Sequence, residues 1–197
     1  TVTEAATYTA TFAINRYTMT ATAGTGGSVT GSGSYNYGAT ATLTATPNTG
    51  YSFVKWSDNN TNASRSVTVS AAATYTATFA INSYTITATA GTGGTVTGSG
   101  SYNYGATATL TATPNTGYSF VKWSDNNTNA SRSITVSAAA TYTATFAINT
   151  YTLSITSNGN GTVNTAVNGT YNYGAMATIT ATPSSNYHFV SWSDGST

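Results

Sequence analysis

A tandem array of small all-β modules, each about 67 residues long, is the fold this sequence predicts. Three observations carry the prediction. Threonine alternates with apolar residues along most segments, as in ATATLTATP at Ala39 to Pro47. Landmarks recur at a fixed period, with Tyr17, Tyr84 and Tyr151 opening YT segments 67 residues apart. Gly, Asn and Pro break the alternating runs every few residues, and no convincing helical segment appears.

The period sets the domain organisation. Residues 1–16 read as the end of a preceding repeat, because TYTATFAIN at Thr7 to Asn15 recurs at Thr74 to Asn82 and at Thr141 to Asn149. Repeat 1 spans 17–83, repeat 2 spans 84–150, and repeat 3 spans 151–197 in a diverged and shortened form. Repeats 1 and 2 differ only at Met19/Ile86, Ser28/Thr95, Val67/Ile134 and Ser83/Thr150, and each swap keeps polarity and approximate size. A second frame stays open, with three permuted units near 1–64, 65–131 and 132–197, because the first 16 residues and the 47 from Tyr151 onward together nearly make one unit.

Within a repeat, each run is assigned by its alternation. YTITATA at Tyr84 to Ala90 puts Tyr84, Ile86 and Ala88 on one face, and repeat 3 carries Tyr151, Leu153 and Ile155 there. GTGG at Gly91 to Gly94 is expected to close a hairpin with the following GTVTG. Repeat 3 inserts two residues after Val163, which marks an exposed loop. SYNYGA reads as a turn. ATATLTATP follows as a strand with Ala41, Leu43 and Ala45 inward and Thr40, Thr42, Thr44 and Thr46 outward, ended by Pro47.

GYSFVKW has apolar residues at both parities, Tyr51 and Phe53 against Val54 and Trp56, so it is expected to be covered on both faces. SDNNTNAS is a polar loop and RSVTVSA a further strand. TYTATFA closes the repeat with Tyr75, Ala77 and Phe79 on one side. About six short strands result. INSYT, from Ile81 to Thr85, holds neither Gly nor Pro and joins one repeat almost directly to the next, which predicts a stiff joint. With units roughly 30 Å across, three would form an elongated rod on the order of 80 to 100 Å.

Composition narrows the partners. Only 5% of residues are charged and the net charge is +1, so there is no basic stripe for nucleic acid or an anionic membrane surface. Cysteine is absent, which removes disulfides and thiolate metal sites. No apolar run is long enough for a membrane helix, and TVTEAATYTA lacks the regions of a signal peptide. The expectation is a soluble segment of a longer protein. Disorder is opposed by the 12% of aromatic residues at alternating positions.

The succession YTITATAGTGGTVTGSGSYNYGATATLTATPNTGYSFVKWSDNN, followed by SITVS and TYTATF, resembles the divergent internalin-B-type B-repeat family. TLTATPNTGYSFVKWS is its most specific part. The resemblance covers both full repeats and the third as far as it runs. It implies small β-rich modules, β-grasp-like or small sandwiches, repeated in long bacterial surface proteins as stalks or adhesin segments, hence an extracellular, cell-surface location. It implies no enzymatic activity and carries over no catalytic or ligand residue.

Chemistry is sparse. Each full repeat offers one carboxylate, Asp58 or Asp125, and the sole histidine is His188, so neither a triad nor a carboxylate pair can be built within a repeat. No catalytic residue, metal site or cofactor is expected. SDNNTN reads as a turn cap rather than a calcium loop. Lys55 and Lys122 invite comparison with stalk domains that cross-link Lys to Asn beside an acid, against the plainer reading of a solvated strand end paired with Asp58. Tyr35, Tyr37, Tyr102 and Tyr104 are the candidates for a glycan-stacking platform, with Tyr51 and Trp56 as further rings, against the plainer reading that they are core. The threonine rows could meet an ice or crystal surface, but Met176 interrupts them and Thr is also the natural uncharged choice for an exposed strand.

Three functional readings follow. The leading one is a non-catalytic stalk or spacer, with neighbouring repeats of the same chain as its partners. The second is a filament in which TYTATFA of one copy completes the open end of the next. The third is direct adhesion to a glycan or protein.

Overall fold

Alternation becomes pleated strand in each full repeat. The computed structural model describes residues 1–197. Repeat 1 contains β1 (Arg16–Ala23), β2 (Gly27–Thr30), β3 (Gly33–Asn36), β4 (Thr40–Pro47), β5 (Tyr51–Trp56), β6 (Ser64–Thr68) and β7 (Ala73–Ile81). These form two sheets, a mixed one ordered β3-β1-β7-β5 and an antiparallel one ordered β2-β4-β6. The first and last strands, β1 and β7, pair in parallel at the centre of the mixed sheet. β3 and β5 flank them antiparallel. A parallel pair needs a long crossover, and the intervening strands supply it.

The core lies between the sheets. Ala41, Leu43 and Ala45 of β4 face inward, as their alternation requires, while the threonines between them are exposed or half-buried. Leu43 and Ala45 pack with Trp56 and Ala77 from the mixed sheet, and Ala41 packs with Met19 and Val69. Trp56 is fully buried and its indole N–H donates to the Asn62 carbonyl oxygen at 3.0 Å, so burial leaves no polar cost. A core shared by two facing sheets makes the module a small sandwich. Outward hydroxyls meet across strands, with Thr22 Oγ1 and Thr76 Oγ1 2.8 Å apart.

Three local expectations are corrected. GTGG does not close a hairpin ladder: β1 pairs with β3 and β7, β2 pairs with β4, and the turn therefore carries the chain between sheets. Its glycines are needed for closeness, since a Cβ on Gly26 would strike the Tyr51 ring and one on Gly27 the Phe79 ring. GSYN, read within a turn, is strand β3. β5 is not covered on both faces, because it is an edge strand with a bulge between Phe53 and Lys55. The extra residue changes parity, so Phe53 and Trp56 reach the same core with rings 5.8 Å apart while Val54 points to solvent.

Repeat 2 contains β8 (Ser83–Ala90), β9 (Gly94–Thr97), β10 (Gly100–Asn103), β11 (Thr107–Pro114), β12 (Tyr118–Trp123), β13 (Ser131–Thr135) and β14 (Ala140–Ile148). β14 again pairs in parallel with β8 and antiparallel with β12, and β9 pairs with β11. Repeat 3 forms β15 (Thr150–Leu153), β16 (Gly161–Val163), β17 (Gly169–Asn172) and β18 (Ala181–Pro183). β15 pairs only with β17 and β16 only with β18. The inserted loop holds a single 3-10 turn, Thr165–Val167, capped by the Asn164 side chain. Tyr187 to Trp192, which match β5, form no strand. Tyr151 is exposed rather than sharing the interior with Ile155.

Packing divides the chain into two compact units. One comprises residues 1–84, 101–106 and 135–138, and the other residues 85–100, 107–134 and 139–197. Each contains one complete passage from a repeat into its successor.

Candidate functional site

The most specific polar geometry outside the cores lies where one repeat becomes the next. Strands β7 and β8 are separated by Asn82 alone. Both backbone groups of Asn82 are engaged: its N–H donates to the Gly50 carbonyl oxygen and its carbonyl oxygen accepts from the Tyr104 N–H, each at 2.8 Å. Its side-chain oxygen accepts from the Ser52 hydroxyl at 2.6 Å, and the Ser83 hydroxyl donates to the Asn103 side-chain oxygen at 2.8 Å. A one-residue linker held at three atoms keeps little conformational freedom.

Gly50 and Tyr104 complete this joint. Gly50 has φ of 80°, and a Cβ built on it would collide with the Tyr104 ring. Glycine is thus required twice, for its backbone and for the ring seated on it. The second passage repeats the arrangement. Asn149 stands alone between β14 and β15, its N–H donates to Gly117 O, its carbonyl accepts from the Tyr173 N–H, and Ser119 donates to its side chain. The Tyr173 ring sits where a Cβ of Gly117 would be.

The tyrosines singled out as a glycan platform therefore fall into two classes. Tyr35 is half-buried against the Met19, Ala41 and Val69 cluster, and its hydroxyl donates to the Gly31 carbonyl oxygen at 2.9 Å. Tyr102, the matching residue of repeat 2, is half-buried too. Tyr104 belongs to the joint. Tyr37 is the same position in repeat 1, where its N–H bonds to Asn15 O and its ring leans on Tyr17 with 6.4 Å between centroids. It is 57% exposed, against 47% for Tyr173 with its glycine beneath it.

The charged groups make a structural cluster. Arg65 reaches both carboxylate oxygens of Asp58 at 2.6 Å, and its guanidinium lies 4.8 Å from the centre of the Tyr75 ring. Arg132, Asp125 and Tyr142 repeat this. The hydrogen bond from Arg65 holds the Asp58 carboxyl below its ordinary value, aided by the Asn60 N–H. A folded-state value below the unfolded one stabilises at neutral pH, and acid removes that contribution as the carboxyl protonates. The expected partner of Asp58 is thus corrected: Lys55 bonds instead to the Asn59 side-chain oxygen at 2.8 Å on the exposed surface.

A family model described as the divergent InlB B-repeat domain matches residues 17–83, 84–150 and 151–197. The chain belongs to the divergent InlB B-repeat family. No curated protein and no solved structure matches it. B-repeats are repeat domains of bacterial surface proteins, so the chain is a structural or surface module of that kind. The family signature explains what sequence reasoning missed. In a B-repeat, NTGYS reads as a turn and the start of a strand, yet Gly50 and Ser52 serve the following repeat. Near-identity of B-repeats 1 and 2 hides that division of labour, because a residue that serves its own module and one that serves its neighbour recur alike. The available signal was the set of positions at which B-repeat 3 departs.

Proposed function

We propose that this chain is a stiff, non-catalytic spacer in an extracellular bacterial surface protein, carrying some other domain away from the cell. The observation that supports this most is the one-residue joint, in which Asn82 or Asn149 is bonded through its N–H, its carbonyl and its side chain. Flexible linkers are long and rich in Gly and Ser; these are neither. A charge content of 5% also makes the array indifferent to salt. Direct adhesion draws less support, because Tyr35 and Tyr104 are committed to a core and a joint.

A second reading, assembly of copies by strand exchange, is favoured by one observation. Thr7 to Ile14 repeat the sequence of central strand β7, yet Tyr8 and Phe12 are each 90% exposed. Repeat 3 in turn has an open cleft of about 600 Å³ whose lining includes Ile155, Val163, Phe189 and Trp192. Solution X-ray scattering tests both readings at once. A spacer gives the mass of one 20.1 kDa chain with a radius of gyration well above the ~16 Å of a globule of this length. A value near ~16 Å contradicts the spacer, and a mass of one chain at high concentration contradicts strand exchange.

A further inference from the structure

Two of the changes that set repeat 3 apart fall at a single place. The seat of the joint is built from Gly50 and Ser52 in repeat 1 and from Gly117 and Ser119 in repeat 2. In repeat 3 the matching residues are Asn186 and His188. Asn186 keeps the left-handed backbone, with φ of 63°. It also carries the Cβ that, at Gly50 or Gly117, would occupy the space of the tyrosine ring. His188 replaces the small hydroxyl that donates to the linking asparagine by a ring several times its size. The other half of the joint is unaltered throughout: Tyr37, Tyr104 and Tyr173 each present an N–H to an asparagine carbonyl oxygen, from Asn15, Asn82 and Asn149.

We propose that residues 50/52, 117/119 and 186/188 are the specificity determinants of repeat docking. A repeat with Gly and Ser there accepts the tyrosine of a following B-repeat; repeat 3, with Asn and His, refuses it. The partner that fits the seat is a B-repeat front bearing Asn, Tyr-Thr and Asn-Tyr-Gly, as at Asn149, Tyr151 to Thr152 and Asn172 to Gly174. Whatever docks on repeat 3 must do so by a different contact. The inference rests on the stiff-joint reading above.

The test moves repeat 3's residues into repeat 2's seat within the full chain, as G117N, S119H and the double variant. Amide hydrogen exchange is read at Asn149 and Tyr173, whose N–H groups bond across the joint, with Trp123 as a reference inside repeat 2. G38N is the control for backbone cost, because Gly38 has φ of 78° and open space at its Cβ. The double variant is expected to lose protection at Asn149 and Tyr173 by about tenfold or more with Trp123 unchanged. S119H alone, at an exposed position, gives the smaller loss and serves if G117N fails to fold. Wild-type protection retained in S119H and in any folded G117N or double variant overturns the proposal. Absence of protection in the wild-type chain would instead overturn the stiff-joint reading.

Discussion

Trp56 shows how much of each module rests on single side chains. It is fully buried in a 67-residue unit, packs on Phe53, Leu43, Ala45 and Ala77, and satisfies its own N–H. Units of this size bury a modest share of their surface, so they have little stability to spare. Trp56→Ala is expected to cost about 3–5 kcal/mol. Urea denaturation followed by the backbone amide NMR signals of repeat 1 should show that repeat unfolding early, and an unchanged midpoint would be against the assignment. At this scale the sequence was readable wherever alternation held. ATATLTATP places Ala41, Leu43 and Ala45 inside and its threonines outside or half-buried, and Met176, in the place of Thr40, is 96% exposed, as a water-facing position allows. It was not readable for Tyr104, whose partner Gly50 lies in another repeat.

At the scale of the element, local periodicity predicts strands but not which strands pair. β1 and β2 are adjacent in sequence with a glycine turn between them, yet they enter different sheets, because central pairing of β1 with β7 leaves β2 free to join β4. That choice depends on residues some fifty positions away, as the Thr20 to Thr74 register shows. β5 failed for a different reason. A period of two carries the parity of its side chains only through unbroken pairing, and the bulge after Phe53 resets it. The bulge makes a sharp prediction: Val54→Asp should be nearly neutral in thermal unfolding, within about 0.5 kcal/mol, as for other surface changes. Phe53→Asp should unfold repeat 1 by burying an unpaired charge against Phe79 and Trp56. Equal effects of the two substitutions would remove the bulge from the account.

For the whole molecule, the proposed spacer role turns on how motion is restrained between modules. The only carboxylates in the full repeats are paired with arginines, and the polar geometry at Asn82 recurs at Asn149. Repetition explains both the ease and the limit of the sequence reading. A period of 67 exposes the modules at once, while the near-identity of two copies conceals which residues serve the neighbour. The most direct test is nitrogen-15 relaxation measured on the full chain. If Asn82 and the Tyr104 to Gly50 seat hold their joint, the amides of repeats 1 and 2 report one common rotational diffusion tensor, and Asn82 is as ordered as β7 beside it. Separate tumbling of the two repeats, with a mobile Asn82, would contradict the account.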